Sequence, residues 1–163
     1  MVNSLGFRKL KTINPFYKVI AAGICLVMFP LASLAVETAS IVVNVSGLNN
    51  DKGVIRIALF NDKDKYSRDK GTAADAFQKE AVSIKDKTVS HTFTNIPYGD
   101  YAIKVYHDED NSGRFYTGAF GIPKVQYGFS NNAKGAFGPA SFEKAKFSLQ
   151  TKEVIQNIQL SGK

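Results

Sequence analysis

The sequence predicts an all-β protein: a two-sheet antiparallel sandwich of immunoglobulin-like or transthyretin-like type, with about seven strands and one long loop rich in glycine and aromatic residues. Three observations lead there. Past residue 36, apolar and polar residues alternate with period two, and no long stretch repeats at the helical period. The alternating runs are short, and Gly, Asn and Asp clusters such as GLNNDKG (47–53) separate them. The one cysteine, Cys25, lies in an apolar N-terminal run, so a core between sheets, not a disulfide, has to hold the rest of the chain.

Residues 1–35 read as a secretory signal peptide and 36–163 as one β-sandwich domain. Arg8, Lys9, Lys11 and Lys18 precede the apolar run VIAAGICLVMFPLASLA, and the small residues Ser33 and Ala35 occupy the −3 and −1 positions of a cleavage site. The run is shorter than the roughly twenty apolar residues a membrane anchor needs. A lipoprotein would carry a small residue before its cysteine, and here Ile24 precedes Cys25. The chain is therefore expected to be exported, periplasmic or extracellular, without a membrane span. Loss of four basic and no acidic residues lowers the formal net charge from +7 to +3, which removes the argument for a nucleic-acid partner.

Each element follows from its register. In SIVVNVS, Ile41, Val43 and Val45 share one face, and in GVIRIALF, Ile55, Ile57 and Leu59 do so with Arg56 opposite; the short loop between them predicts a hairpin. Residues 61–80 are charged and rich in small side chains, and the spacing of Ala74, Phe77 and Ala81 predicts a short helix in a surface crossover. AVSI and TVSHTFT read as strands around the turn KDK, and YAIKVYHD places Tyr101, Ile103, Val105 and His107 on one side. AKFSLQ and VIQNIQL close the sandwich. The apolar registers assign Val43, Ile57, Leu59, Phe93, Ile103, Val105, Phe147 and Ile158 to a single core.

From Asp108 to Phe142 the chain is too long for an ordinary turn, and it holds Pro123, Pro139 and seven aromatic side chains. Such loops are usually functional or disordered, and the aromatic content argues against disorder.

Segments along the chain, some of them in this region, also carry a resemblance. Gly53–Phe60, Pro97–Ala102, His107–Gly113, Gly128–Ala133 and Phe137–Phe142 together resemble a family of secreted bacterial proteins, domain of unknown function 2141, over about residues 40–161. Tyr116, where that family often has an acidic residue, and Ala140, where it has a second proline, depart from its pattern. The resemblance implies a β-sandwich without an assigned activity. IPYGDYAIKV is also similar to the turn and strand of transthyretin-like and collagen-adhesin modules, which bears on fold alone.

Three groups of residues are candidates for function. The first is D-E-D-N-S-G, where Asp108, Asp110, Ser112 and the Arg114 carbonyl fall at the first four ligand positions of a calcium loop. Tyr116 and Ala119 then stand where further oxygen ligands belong, so the reading that competes with weak calcium binding is an Asx-rich turn whose carboxylates bind the loop's own amides. No other cofactor is expected. The second group is Tyr127, Phe129, Asn131 and Asn132, whose flat apolar faces and amide donors and acceptors suit a carbohydrate or peptide ligand. Here the competing reading has the aromatic rings closing the core and the asparagines capping strand ends. The third is His107, which an envelope hydrolase would use at the loop end of the sandwich; its neighbour Asp108 points to the opposite face of the strand and cannot partner it. Two histidines and no cysteine past residue 36 make a closed zinc site improbable. The functional expectation is a monomeric, exported binding or structural module without catalytic activity.

Overall fold

The computed structural model describes residues 37–162. The expected signal peptide lies outside them. Eight strands run in the order β1 (Thr38–Ser46), β2 (Val54–Phe60), β3 (Gln78–Ser83), β4 (Val89–Pro97), β5 (Gly99–Asp108), β6 (Tyr127–Phe129), β7 (Phe147–Leu149) and β8 (Glu153–Gln159). One sheet has the order β4-β1-β8. The other has the order β3-β2-β5-β6, with β7 pairing further along the same side of β5. No helix among the described residues is long and apolar enough to cross a membrane.

The core between the sheets contains all eight residues assigned to it by register, from Val43 to Ile158. Ile41, Val43, Ile55, Leu59 and Ile103 have no measurable exposure. Burying such side chains stabilises the fold by roughly 1.5–3 kcal/mol each.

Four features depart from the sequence reading. The β1–β2 hairpin does not form: β1 pairs with β4 and β8, while β2 pairs with β3 and β5 in the opposite sheet. A short loop suits a hairpin, but seven residues also suffice to cross from one sheet to the other, and burial of both apolar faces decides between them. The pairing of β1 with β8 is parallel, so the smaller sheet is mixed. The short helix is α1 (Lys63–Arg68), not a turn around Ala74–Ala81; Asp62 caps it by accepting from Lys65 N–H at 2.9 Å, and Ala81 belongs to β3. The eighth strand, β6, lies inside the long loop.

A second core covers the outer face of the larger sheet. Ala58, Phe60, Tyr66, Ala102, Phe129, Ala140, Phe142 and Ala145 pack there. Tyr66 of α1 meets Phe60 and Phe142 edge to face and donates its hydroxyl to the Ala140 carbonyl at 3.0 Å. A second helical turn, α2 (Phe142–Ala145), seats Phe142 and Ala145. This layer explains why β2 ends in four buried residues instead of alternating.

Candidate functional site

The acidic turn is built around a buried carboxylate. Asp108 is 1% exposed, and both of its oxygens accept hydrogen bonds from the protein. Oδ1 accepts from Ser112 N–H (3.1 Å) and Ser112 Oγ (3.2 Å); Oδ2 accepts from Arg56 Nε (2.6 Å) and Gly113 N–H (2.8 Å). Asp110 accepts from Ser112 N–H and from the Tyr116 hydroxyl, and the hydrogen bonds from Ser112 hold its carboxyl below the usual range. Arg114 N–H donates to Ser112 Oγ at 3.3 Å. This is the Asx-turn arrangement. Calcium would have to displace Arg56 and two amides from Asp108, and among the described residues no cluster of three acidic, histidine or cysteine side chains stands ready to hold a metal.

Asn131 and Asn132 serve the strands. Asn131 Nδ2 points to the carbonyls of Lys144, Ala145 and Lys146, the last at 2.8 Å. Asn132 behaves as a one-residue strand on the free edge of β8: Nδ2 donates to the Asn157 carbonyl at 3.1 Å, and Oδ1 accepts from Gln159 N–H at 2.8 Å. Ser130, fully buried, accepts from Ile103 N–H and donates to the Ala145 carbonyl.

His107 sits on the inner face of β5 at 1% exposure. Its Nε2 lies 2.7 Å from the Lys52 carbonyl and therefore carries the proton, while the buried Nδ1 has no partner. The titratable neighbour that acid–base chemistry requires is not among its hydrogen-bond partners. His91, half-buried, packs edge to face on Phe93.

The four loop residues divide. Tyr127 and Phe129 line a cleft of about 1290 Å³ on the outer face of the larger sheet, while Asn131 and Asn132 are not part of its lining. Strand register lays out its floor in two cross-strand rows. Arg56 of β2 stands opposite Tyr106 of β5, which stands opposite Tyr127 of β6; one step along, Ala58, Lys104 and Phe129 form the second row. Phe115 packs against both Tyr106 (5.4 Å) and Tyr127 (6.2 Å), and Tyr127 against Phe129 (5.8 Å), each edge to face. One wall is α1 and the segment after it. Gly71, at φ +95, lies so close to Phe115 that an added Cβ would meet its Cβ at 2.3 Å, and only glycine permits that approach. The loops 117–123 and 135–141 form the other sides.

Electrostatics in the cleft follow from its burial. Lys104 Nζ donates to the carbonyls of Tyr66 (2.7 Å) and Asp69 (3.1 Å) and to Asp69 Oδ2 (3.2 Å), and it lies 4.3 Å from the centre of the Tyr66 ring. Burial lowers the Lys104 pKa, with Asp69 opposing that shift. Burial likewise pushes the Tyr106 phenol up to about 12 and the Tyr66 phenol higher still.

Sequence reasoning missed Arg56, Lys104 and Tyr106 as floor residues. The available signal was their register, since all three occupy outward positions on strands whose other face is apolar, within a chain that supplies a long aromatic loop to cover them.

Fold and site together define a β-sandwich with a ligand-sized, aromatic-floored cleft on the covered face of its larger sheet. The model of a family described as "Uncharacterized protein conserved in bacteria (DUF2141)" matches residues 43–157, and the chain belongs to that family. No curated protein and no solved structure matches the chain.

Proposed function

We propose that the chain is an exported binding module without catalytic activity, whose ligand occupies the cleft between α1 and the long loop. The observation that carries this reading is the floor itself: two cross-strand rows, Arg56–Tyr106–Tyr127 and Ala58–Lys104–Phe129, each of which holds one cation and at least one aromatic ring, under a volume suited to a small or extended ligand. Aromatic faces suit a short carbohydrate or a peptide segment, and the fixed charges of Arg56 and Lys104 favour electron-rich groups on it. The rival reading, a hydrolase using His107, has less support, because the imidazole is buried in the core and its hydrogen-bonded nitrogen faces a backbone carbonyl. Export rests on the basic and apolar N-terminal segment of the sequence.

The test is chemical-shift mapping with separate pools of oligosaccharides and of short peptides, on the wild type and on Thr72→Trp and Ala81→Trp. Both positions line the cleft and are exposed, so a large side chain obstructs it without disturbing either core. Shifts that cluster on β2, β5 and β6 and vanish in the obstructed variants are expected, and the responding pool names the ligand class. Shifts confined to other faces, or binding unchanged by both obstructions, would overturn the assignment.

A further inference from the structure

Two of the loops that line the cleft carry phenylalanines that no packing among the described residues covers. Residues 116–124 form a hairpin finger. Lys124 N–H donates to the Tyr116 carbonyl (2.8 Å), Gly118 N–H donates to the Ile122 carbonyl (2.7 Å), and Thr117 and Pro123 form an antiparallel bridge. At its tip Phe120 adopts φ 57, a left-handed conformation that is costly for a bulky side chain. Among the described residues no packing offsets that cost, since Phe120 is 101% exposed and Ile122 of the same finger is 64% exposed. The second loop is pinched at Gly135, where a Cβ would lie 2.2 Å from the Gly138 carbonyl oxygen, and it presents Phe137 at 106% exposure. Phe120, Ile122 and Phe137 gather around one cleft, and apolar side chains gathered in this way in water mark an interaction surface.

The charge on the same segment narrows the partner. Between Asn111 and Phe142 there is no Asp or Glu, whereas Arg114, Lys124 and Lys134 are all present and exposed. Separate projecting rings on a segment with cations and no acid of its own meet the requirements of a membrane interface; Asp69 and Glu80 line the cleft from other segments, and Asp69 is neutralised there by Lys104. The rings enter the boundary between headgroups and acyl chains, and the cations meet anionic headgroups. A protein partner would need a matched recess for each tip, while a lipid surface accepts both without one.

We infer that this face docks peripherally on an anionic phospholipid surface, with Phe120, Ile122 and Phe137 inserted and Arg114, Lys124 and Lys134 against the headgroups. Phe120, Ile122 and Phe137 are also lining residues of the cleft, so docking brings its mouth to the lipid surface, and the inference does not depend on which ligand the cleft takes. It requires no membrane span.

The chain contains no tryptophan, so Phe120→Trp places a single fluorescent reporter at the finger tip. Ile155→Trp, at a 54% exposed position on the outer face of the opposite sheet, is the control, and it also detects any tethering of the full chain through its apolar N-terminal segment. With vesicles of equal parts phosphatidylglycerol and phosphatidylcholine, the Phe120→Trp emission is expected to shift to the blue while that of Ile155→Trp does not. Pure phosphatidylcholine vesicles should give no shift. Adding Phe137→Ser should weaken the titration about tenfold, and Lys134→Glu about tenfold or more. The inference is overturned by an absent shift, by equal shifts at both reporters, or by a titration that neither second substitution changes. A shift that develops with protein concentration in the absence of lipid also overturns it and assigns the face to a second copy of the chain.

Discussion

Arg56 and Asp108 are diagonal neighbours across β2 and β5, and the 2.6 Å hydrogen bond from Arg56 Nε to Asp108 Oδ2 ties the cleft floor to the acidic turn. Arg56 Nη2 also donates to Asn111 Oδ1 at 3.0 Å, so one guanidinium fixes both the buried carboxylate and the loop beyond it. The D-E-D-N-S-G turn is thus organised by an internal cation. Asp108→Ala should cost about 3 kcal/mol, because it leaves Arg56 and two loop amides without their acceptor. Millimolar calcium should leave the wild-type melting temperature where chelator puts it. Thermal melts of both proteins check this, and a calcium-dependent rise lost in Asp110→Ala would make the turn a metal site.

Asn132 protects the edge of β8 by satisfying one amide and one carbonyl of that strand. Asn132→Ala should cost about 1–2 kcal/mol. It should also speed exchange of the Gln159 amide selectively, which hydrogen exchange read by NMR will show; unchanged Gln159 protection would refute the role.

Ile57 and Val105 face each other across β2 and β5 in the main core, at 1% and 2% exposure. Truncating either to alanine should cost roughly 2–4 kcal/mol, from lost transfer energy and the cavity left behind. Chemical denaturation measures it. Losses under about 0.5 kcal/mol at both sites are the surface range and would contradict the packing.

Alkaline stability should be governed by Tyr66 and Tyr106. Burial raises both phenols above their ordinary value of 10.0, Tyr106 to about 12. Their contribution is therefore fully present below the unfolded value. It is lost as pH rises from there through the folded value, because the unfolded chain has released protons that the folded one keeps. Lys104, with its lowered pKa, acts in the opposite sense as pH approaches 10.5. Denaturation midpoints should fall between about pH 10 and about pH 12, and the fall should shrink in Tyr106→Phe. An equal slope in that variant would contradict the assignment.

The sequence by itself determined the strand registers, and through them the membership of the main core. Alternation with period two places a side chain on one face or the other before any partner strand is known, which is why Val43, Phe93, Ile158 and the others were legible. It also marked the 108–142 segment as ordered and raised, as one reading, the closing role that Phe129, Asn131 and Asn132 have. Only the tertiary structure decided which strands pair, because the loop after β1 is compatible with a hairpin and with a crossing between sheets, and burial of both faces chooses the crossing. Tertiary packing also decided that β5 would be buried on both faces. Its outer residues Ala102, Lys104 and Tyr106 look solvent-facing in the sequence; because α1 and a loop distant in the chain fold over them, Ala102 joins the second core and Lys104 and Tyr106 become part of a cleft floor. Contacts between segments so far apart leave no local period, and a cleft formed by such contacts exists only once the chain has closed around it.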